Sequence, residues 1–271
     1  MKLLKTLYSF YLLSSLHVSF AVWALYKVSF IYFNSTENLY LDGLVLTSSV
    51  VGYNVIKYGS MFLKNKTLVS KEIIFITFSS LLIGIWCFFY THLLTQVVFI
   101  LSFFLVILYI IPNPSSKINL RNANGVKIFL VAFSWTLVSY VSLTSQMNIH
   151  EFNQNVILGI QRFIFVLVAT IPFEIRDINI DDSELGTLPQ RFGVFKSKLL
   201  GILLLTLNTC LLYFVIEINL TFKIIEFFIY VVLGYALLIS STNKPLSFTR
   251  FWVEGIPIIW IFTLLILNQI F

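Results

Sequence analysis

Apolar residues run in long blocks along this chain, and polar residues are confined to short breaks between the blocks. About twenty consecutive apolar residues are needed to cross the hydrocarbon of a bilayer, and a helix satisfies its own backbone groups there. By that rule the sequence predicts nine helical spans, at 8–30, 40–62, 72–90, 92–112, 126–146, 152–174, 196–216, 223–241 and 251–270. The breaks fall at Asn34-Ser35-Thr36, Lys64-Asn65-Lys66, Pro112-Asn113-Pro114, a segment after Glu174, Asn219 and Thr242-Asn243-Lys244-Pro245. These are residue types that end helices and form turns. The least marked boundary lies between the third and fourth spans, near Tyr90 to His92. The expected fold class is all-α, a polytopic membrane bundle forming one domain over residues 1–271 with no soluble appendage. The first block is too long for a signal-peptide core and no small-x-small cleavage site follows, so it is expected to be retained.

Composition agrees with lipid as the solvent. With 58% hydrophobic and 11% charged residues, the chain has too little polar surface to cover an aqueous exterior. Cys87 and Cys210 both lie within apolar blocks and read as core thiols, not as a disulfide or metal pair. The charges sort by side. Lys2 and Lys5, the Lys64 to Lys71 loop, Lys117 to Lys127, Arg176 to Lys198, and Lys244 with Arg250 all fall on one side of nine spans. The opposite loops carry little beyond Lys27 and Lys223. By the positive-inside bias the basic side is cytoplasmic, with the N-terminus there, and the membrane is the inner one if the host is bacterial. The net charge of +6 is then topology and needs no nucleic-acid partner.

On the same side stands the segment Glu174-Ile-Arg-Asp177-Ile-Asn-Ile-Asp181. Carboxylates at i, i+3 and i+7 fall within roughly a 60° arc if the helix continues through them. Three negative charges at a membrane boundary repel one another unless a cation joins them, and Mg²⁺ shared with a phosphorylated substrate meets that need. An acidic, solvated helix end is the plainer reading. Basic loops beside an apolar interior favour the other, because they suit a ligand with a phosphate head and a greasy tail.

The stretch from Ile171 to Gly193 continues with Gly186-Thr-Leu-Pro189-Gln-Arg191-Phe-Gly193. It resembles the second aspartate-rich motif of the UbiA superfamily of intramembrane prenyltransferases, with Glu174 in place of the first Asp. A weaker echo lies at Leu120 to Lys127, like the loop leading into that family's fifth helix. The resemblance implies a nine-helix bundle with a cytoplasmic-side polar cavity. There Glu174, Asp177 and Asp181 hold Mg²⁺ on an isoprenyl diphosphate, and Asp177, Asp181 and Asn54 are catalytic. Ionisation of the donor gives an allylic cation that a lipophilic or aromatic acceptor attacks.

The family's first motif is degenerate here. Its counterpart is Tyr53-Asn54-Val55-Ile56-Lys57-Tyr58, where Val55 and Tyr58 replace the Asp residues and Asn54 alone remains. Lys57, at i+3 from Asn54, is expected to stand in for the missing metal by meeting phosphate as a point charge. It reads equally as a snorkelling topology residue. Lys117 and Arg121, on the loop after the fourth span, correspond to basic residues the family offers to diphosphate. Arg176, Arg191, Tyr53 and Tyr109 are softer candidates. Arg162 lies inside the sixth span, about 18 Å deeper than Glu174 by helical rise. A charge at that depth is expected to face a polar network and not lipid. Two other classes remain open: a relative that binds prenyl lipids or scaffolds a complex without turnover, and a transporter. The second is disfavoured because the polar residues crowd one face and not the midplane.

Overall fold

The computed structural model describes residues 2–33, 35, 38–111, 125–145, 152–182, 185–215 and 219–268. Among them there are ten helices and no strand, so the all-α expectation holds. They are α1 (Lys2–Leu13), α2 (Leu16–Tyr32), α3 (Leu39–Lys64), α4 (Lys71–Phe89) and α5 (Leu93–Ile110). After these come α6 (Lys127–Thr144), α7 (Phe152–Asp177), α8 (Leu188–Phe214) and α9 (Leu220–Ile239). The last, α10, spans Phe248–Leu267. Eight spans are long and apolar enough to cross a membrane, and the count is nine if the bent pair of α1 and α2 is one span. The chain is a multi-pass integral membrane protein.

The first span departs from its expected straight course. The chain breaks at Ser14 and Ser15, where Ser15 takes a left-handed φ of 62°, and α1 leaves α2 at 63°. Serine competes for backbone hydrogen bonds and tolerates such a break better than the apolar residues around it. The other boundaries fall where the turn residues place them. Asn38 accepts from the Tyr40 and Leu41 amides to cap α3. The least marked boundary, at Tyr90 to His92, is an interruption between α4 and α5.

Two cores hold the bundle. The larger joins α2, α6, α7, α8, α9 and α10, centred on Trp260, Ile171, Ile229 and Leu233. The smaller joins α2, α3 and α6 through Tyr26, Leu41, Val45 and Leu143, with Cys87 and Phe99 from α4 and α5. Cys87 and Cys210 are both free, but only Cys87 is a buried core thiol, and Cys210 is exposed on the outer surface of α8. Between α7 and α8, Gln161 Nε2 donates to the Asn208 carbonyl at 3.0 Å and Asn208 Nδ2 returns the bond to the Gln161 carbonyl at 2.9 Å. Reciprocal bonds of this kind join helices where lipid gives no hydrophobic push between them. On the far side of the bundle Lys27, the exception among the loop charges, is tied to Asp42 at 2.8 Å.

Arg162 faces inward, only 4% exposed. Its Nη2 donates to Ser29 Oγ at 3.3 Å, and its guanidinium lies 4.7 Å from the ring centre of Trp260. Within its electrostatic reach stands Glu226 of α9, 2% exposed, which accepts a 2.5 Å bond from Tyr230. Glu226 is the acidic group that offsets this charge, without an ion pair inside 4 Å, and spacing along α7 could not reveal it. Removing one member of a buried pair of charges costs about 3 kcal/mol, whereas replacing both with apolar residues is often neutral. Arg162→Leu is therefore expected to lower stability by about 3 kcal/mol, and Arg162→Leu with Glu226→Leu to recover most of it. Thermal unfolding of the detergent-purified protein measures both.

Candidate active site

Helix ends gather at one end of the bundle, where α1, α3 and α7 finish and α6, α8 and α10 begin. A cavity of about 300 Å³ opens among them. Its charged lining is Lys57 of α3, Lys127 of α6, Glu174 and Asp177 of α7, and Arg250 and Glu254 of α10. Beneath these lie Phe165 and Val166 of α7. Phe165 in turn packs edge-on against Trp260, ring centres 5.2 Å apart, above the Arg162 network. The buried charge thus supports the floor of the cavity without entering it.

A second cavity, about 530 Å³, lies between α3, α4, α5 and α6, walled by apolar side chains such as Leu44, Phe88, Phe103 and Val106. The two share Tyr53, Ile56, Val131 and Trp135. At this seam Trp135 Nε1 donates to Tyr53 Oη at 2.5 Å. Tyr109, the other candidate tyrosine, lines the apolar chamber.

The acidic segment is used differently from its spacing. The α7 helix ends at Asp177, and the Ile180 and Asp181 amides both turn back to the Asp177 carbonyl at 2.8 Å. The i+7 step from Glu174 to Asp181 is therefore not a helical step, and Asp181 swings to Lys127 at 3.3 Å. Asp177 is gripped from its own neighbour, Arg176 Nε and Nη2 donating to its two oxygens at 2.7 and 2.6 Å. Glu174, 3% exposed, accepts the Leu188 amide at 3.1 Å and so caps α8. Beside it the Thr187 amide donates to Gln190 Oε1 at 3.0 Å. An N-terminal amide left without a partner is costly, so this carboxylate has a structural task. Among the described residues no three His, Cys, Asp or Glu side chains are grouped to hold a metal ion. The expected three-carboxylate metal site is not assembled. Mg²⁺ is commonly held by one or two carboxylates, with phosphate and water completing its shell. Glu174 and Asp177, which line the same cavity, meet that smaller requirement.

The first-motif positions are also redistributed. Asn54, 2% exposed, turns to α4, its Nδ2 donating to Thr77 Oγ1 at 2.8 Å. It does not line the cavity, so its expected place beside the metal is corrected. A three-residue helical step rotates the side chain by about 60°, enough for Lys57 to face the cavity while Asn54 faces α4. Lys57 Nζ donates to the Leu12 carbonyl at 3.4 Å and Tyr58 Oη to the Leu13 carbonyl at 2.8 Å. Tyr58, at a position that carries Asp in the resembling family, here holds the end of α1 together with Lys57. Lys117 and Arg121 lie outside the described residues.

Three lining residues had drawn no role from the pattern beyond loop charge, or none at all. The charge pattern assigns Lys127 and Arg250 to topology alone, and Glu254 lies within the apolar ninth block. Arg250 and Glu254 are brought to the cavity by a π-helical turn over Phe248–Val253, in which the Glu254 amide reaches back five residues to the Thr249 carbonyl at 3.0 Å. Such turns insert a residue, re-aim the side chains around them and recur at functional sites. The turn is fastened to α7 by Arg176, which donates to Thr249 Oγ1. Behind it, Gly255 is pressed so close that a Cβ would stand 2.5 Å from the Phe251 carbonyl. The signal for Glu254 and Glu226 was present: each is a carboxylate within an apolar span, as Arg162 is a cation within one.

No protein-family model matches the chain, and no curated protein sequence matches it. A solved structure does: that of a digeranylgeranylglyceryl phosphate synthase, from work on its action in membranes. The likeness covers 97% of this chain and 98% of that one, with a TM-score of 0.58 and 15% identity. The chain therefore has the fold of this synthase.

The capping role of Glu174 separates structure from ligand chemistry. Glu174→Ala leaves the Leu188 amide unpaired and is expected to lower stability by about 1–3 kcal/mol. Glu174→Gln keeps an acceptor oxygen and is expected to stay within about 1 kcal/mol of the parent. Thermal unfolding in detergent distinguishes the two.

Proposed function

We propose that the chain is an intramembrane prenyltransferase, moving an isoprenyl group from an isoprenyl diphosphate to a lipophilic or aromatic acceptor with Mg²⁺. The observation that carries this reading is the meeting of two unlike chambers at Tyr53 and Trp135. One is lined by Lys57, Lys127 and Arg250, and the other is almost wholly apolar. An allylic diphosphate has the same two-part chemistry, and its reacting carbon lies where head and chain join.

In this reading the three cations bind the diphosphate, Lys57 as the point charge that replaces first-motif carboxylates and their metal. Lys117 and Arg121 of the neighbouring loop would add to that charge. Glu174 and Asp177 would hold Mg²⁺, which when bound neutralises charge on the departing diphosphate. Asp181 acts through Lys127, keeping its ammonium at the cavity edge. Catalysis is then stabilisation of the leaving group and exclusion of water from the cation by the apolar walls. The solved neighbour's name adds a glyceryl phosphate acceptor to the aromatic class, so both belong in an acceptor mixture. Placement of the site on the cytoplasmic face follows from the basic loops.

A second reading has a specific observation behind it. Asn54 bonds Thr77 away from the cavity and no carboxylate trio is formed among the described residues, which suits a protein that binds prenyl lipids without turnover.

Purified protein with geranylgeranyl diphosphate, Mg²⁺ and the acceptor mixture is expected to release pyrophosphate, and Asp177→Ala to abolish that release. Donor binding with no release supports the non-catalytic reading instead. Lys57→Ala is expected to weaken binding of the unreactive thiodiphosphate analogue at least tenfold, a charge-assisted contact being worth about 1.5–3 kcal/mol. Unchanged affinity rejects the phosphate role of Lys57.

A further inference from the structure

Prenyl transfer requires the acceptor to lose a proton, and the cavity offers four carboxylates or near neighbours for the task. Three are already committed: Glu174 to the Leu188 amide, Asp177 to Arg176 and Asp181 to Lys127. Glu254 is not. Among the described residues its carboxylate makes no hydrogen bond and no ion pair within 4 Å, and it lines the polar chamber. We propose that Glu254 is the general base that takes the acceptor's proton at the seam between the two chambers. The inference rests on the prenyltransferase reading and assigns a residue to that same site.

Three features place Glu254 at the reacting carbon. Its charge is felt by Tyr53 of α3, a residue common to both chambers. It is flanked by Lys57 of α3, Arg250 of its own turn and Arg176 of α7, with Tyr11 of α1 also within electrostatic reach. With the diphosphate on the lysines and Arg250 and the chain among apolar walls, C1 of the donor falls beside Tyr53. The third feature is the π turn, which aims Glu254 inward from a helix that contributes to neither aspartate-rich motif.

The step balances without any further reagent. The C1–O bond of the allylic diphosphate breaks and its electron pair leaves with inorganic diphosphate. The acceptor's hydroxyl oxygen or ring carbon supplies the pair for the new bond to C1. The proton that atom carries passes to a Glu254 carboxylate oxygen and from there to water in the polar chamber. Positioned general bases contribute about 10²–10⁴-fold.

The test uses the full-length protein in detergent with geranylgeranyl diphosphate as donor. Geranylgeranylglyceryl phosphate and 4-hydroxybenzoate are the acceptor probes, and the donor thiodiphosphate analogue reports binding. Glu254→Gln, a neutral isostere, is expected to lose at least 100-fold in transfer while analogue affinity stays within threefold. Glu254→Asp, which keeps a base, is expected to recover at least tenfold over Glu254→Gln. Transfer by Glu254→Gln within threefold of the parent overturns the assignment. A parallel fall in analogue affinity also overturns it, because Glu254 then serves only to hold the diphosphate cations. A parent protein that binds the analogue but prenylates neither probe overturns the proton-acceptor role. A parent that does not bind the analogue sinks the prenyltransferase reading itself.

Discussion

Hydrocarbon tolerates neither an unpaired backbone group nor an unpaired charge, and that constraint arranges the rest of this molecule. Helices answer the first demand. The second is answered by pairing: Lys27 with Asp42, Lys127 with Asp181, Arg176 with Asp177. Even Glu174, the most buried of the acidic-segment carboxylates, is set against the amide that opens α8. The contacts of the acidic segment tie the end of α7 to the starts of α6 and α8 beside one cavity. The acidic segment does this structural work first, and any ligand must bind within what it leaves.

What it leaves is a boundary. Tyr53 and Trp135 form a hydrogen-bonded seam between a charged chamber and a dry one. An amphiphilic donor set across such a seam has its leaving group among cations and its chain away from water, which is the condition for making a carbocation without losing it to hydrolysis. The π-helical turn of α10 completes the charged side. An unbroken α-helix advances about 100° per residue, so the inserted residue changes which side chains of α10 face inward, and Arg250 and Glu254 are the ones delivered.

Below the cavity the same constraint operates again. Arg162 and Glu226 come from helices distant in sequence, with Ser29, Tyr230 and Trp260 filling the space around them. Phe165 spans the two levels, lining the cavity on one side and meeting Trp260 on the other. The network is thus a rigid base for the site and not part of its chemistry.

Block length and charge bias in the sequence by themselves determined the helical class, the eight spans from α3 onward and the end of the bundle at which charge collects. Those properties depend on local apolarity and on the thickness of a bilayer. Glu174 and Lys57 were legible as cavity residues for a related reason, since each sits in the last turns of a span. Asp181 and Asn54 were misplaced because equal spacing means a common face only while the helix continues and only to within about 60°. The α7 helix stops at Asp177, and Asn54 finds a better partner in Thr77. Glu226 and Glu254 acquired their meaning only in three dimensions. A carboxylate in an apolar span declares that it needs a partner, but which helix brings that partner, or whether the group is left facing a cavity, is settled by packing between segments far apart in the chain.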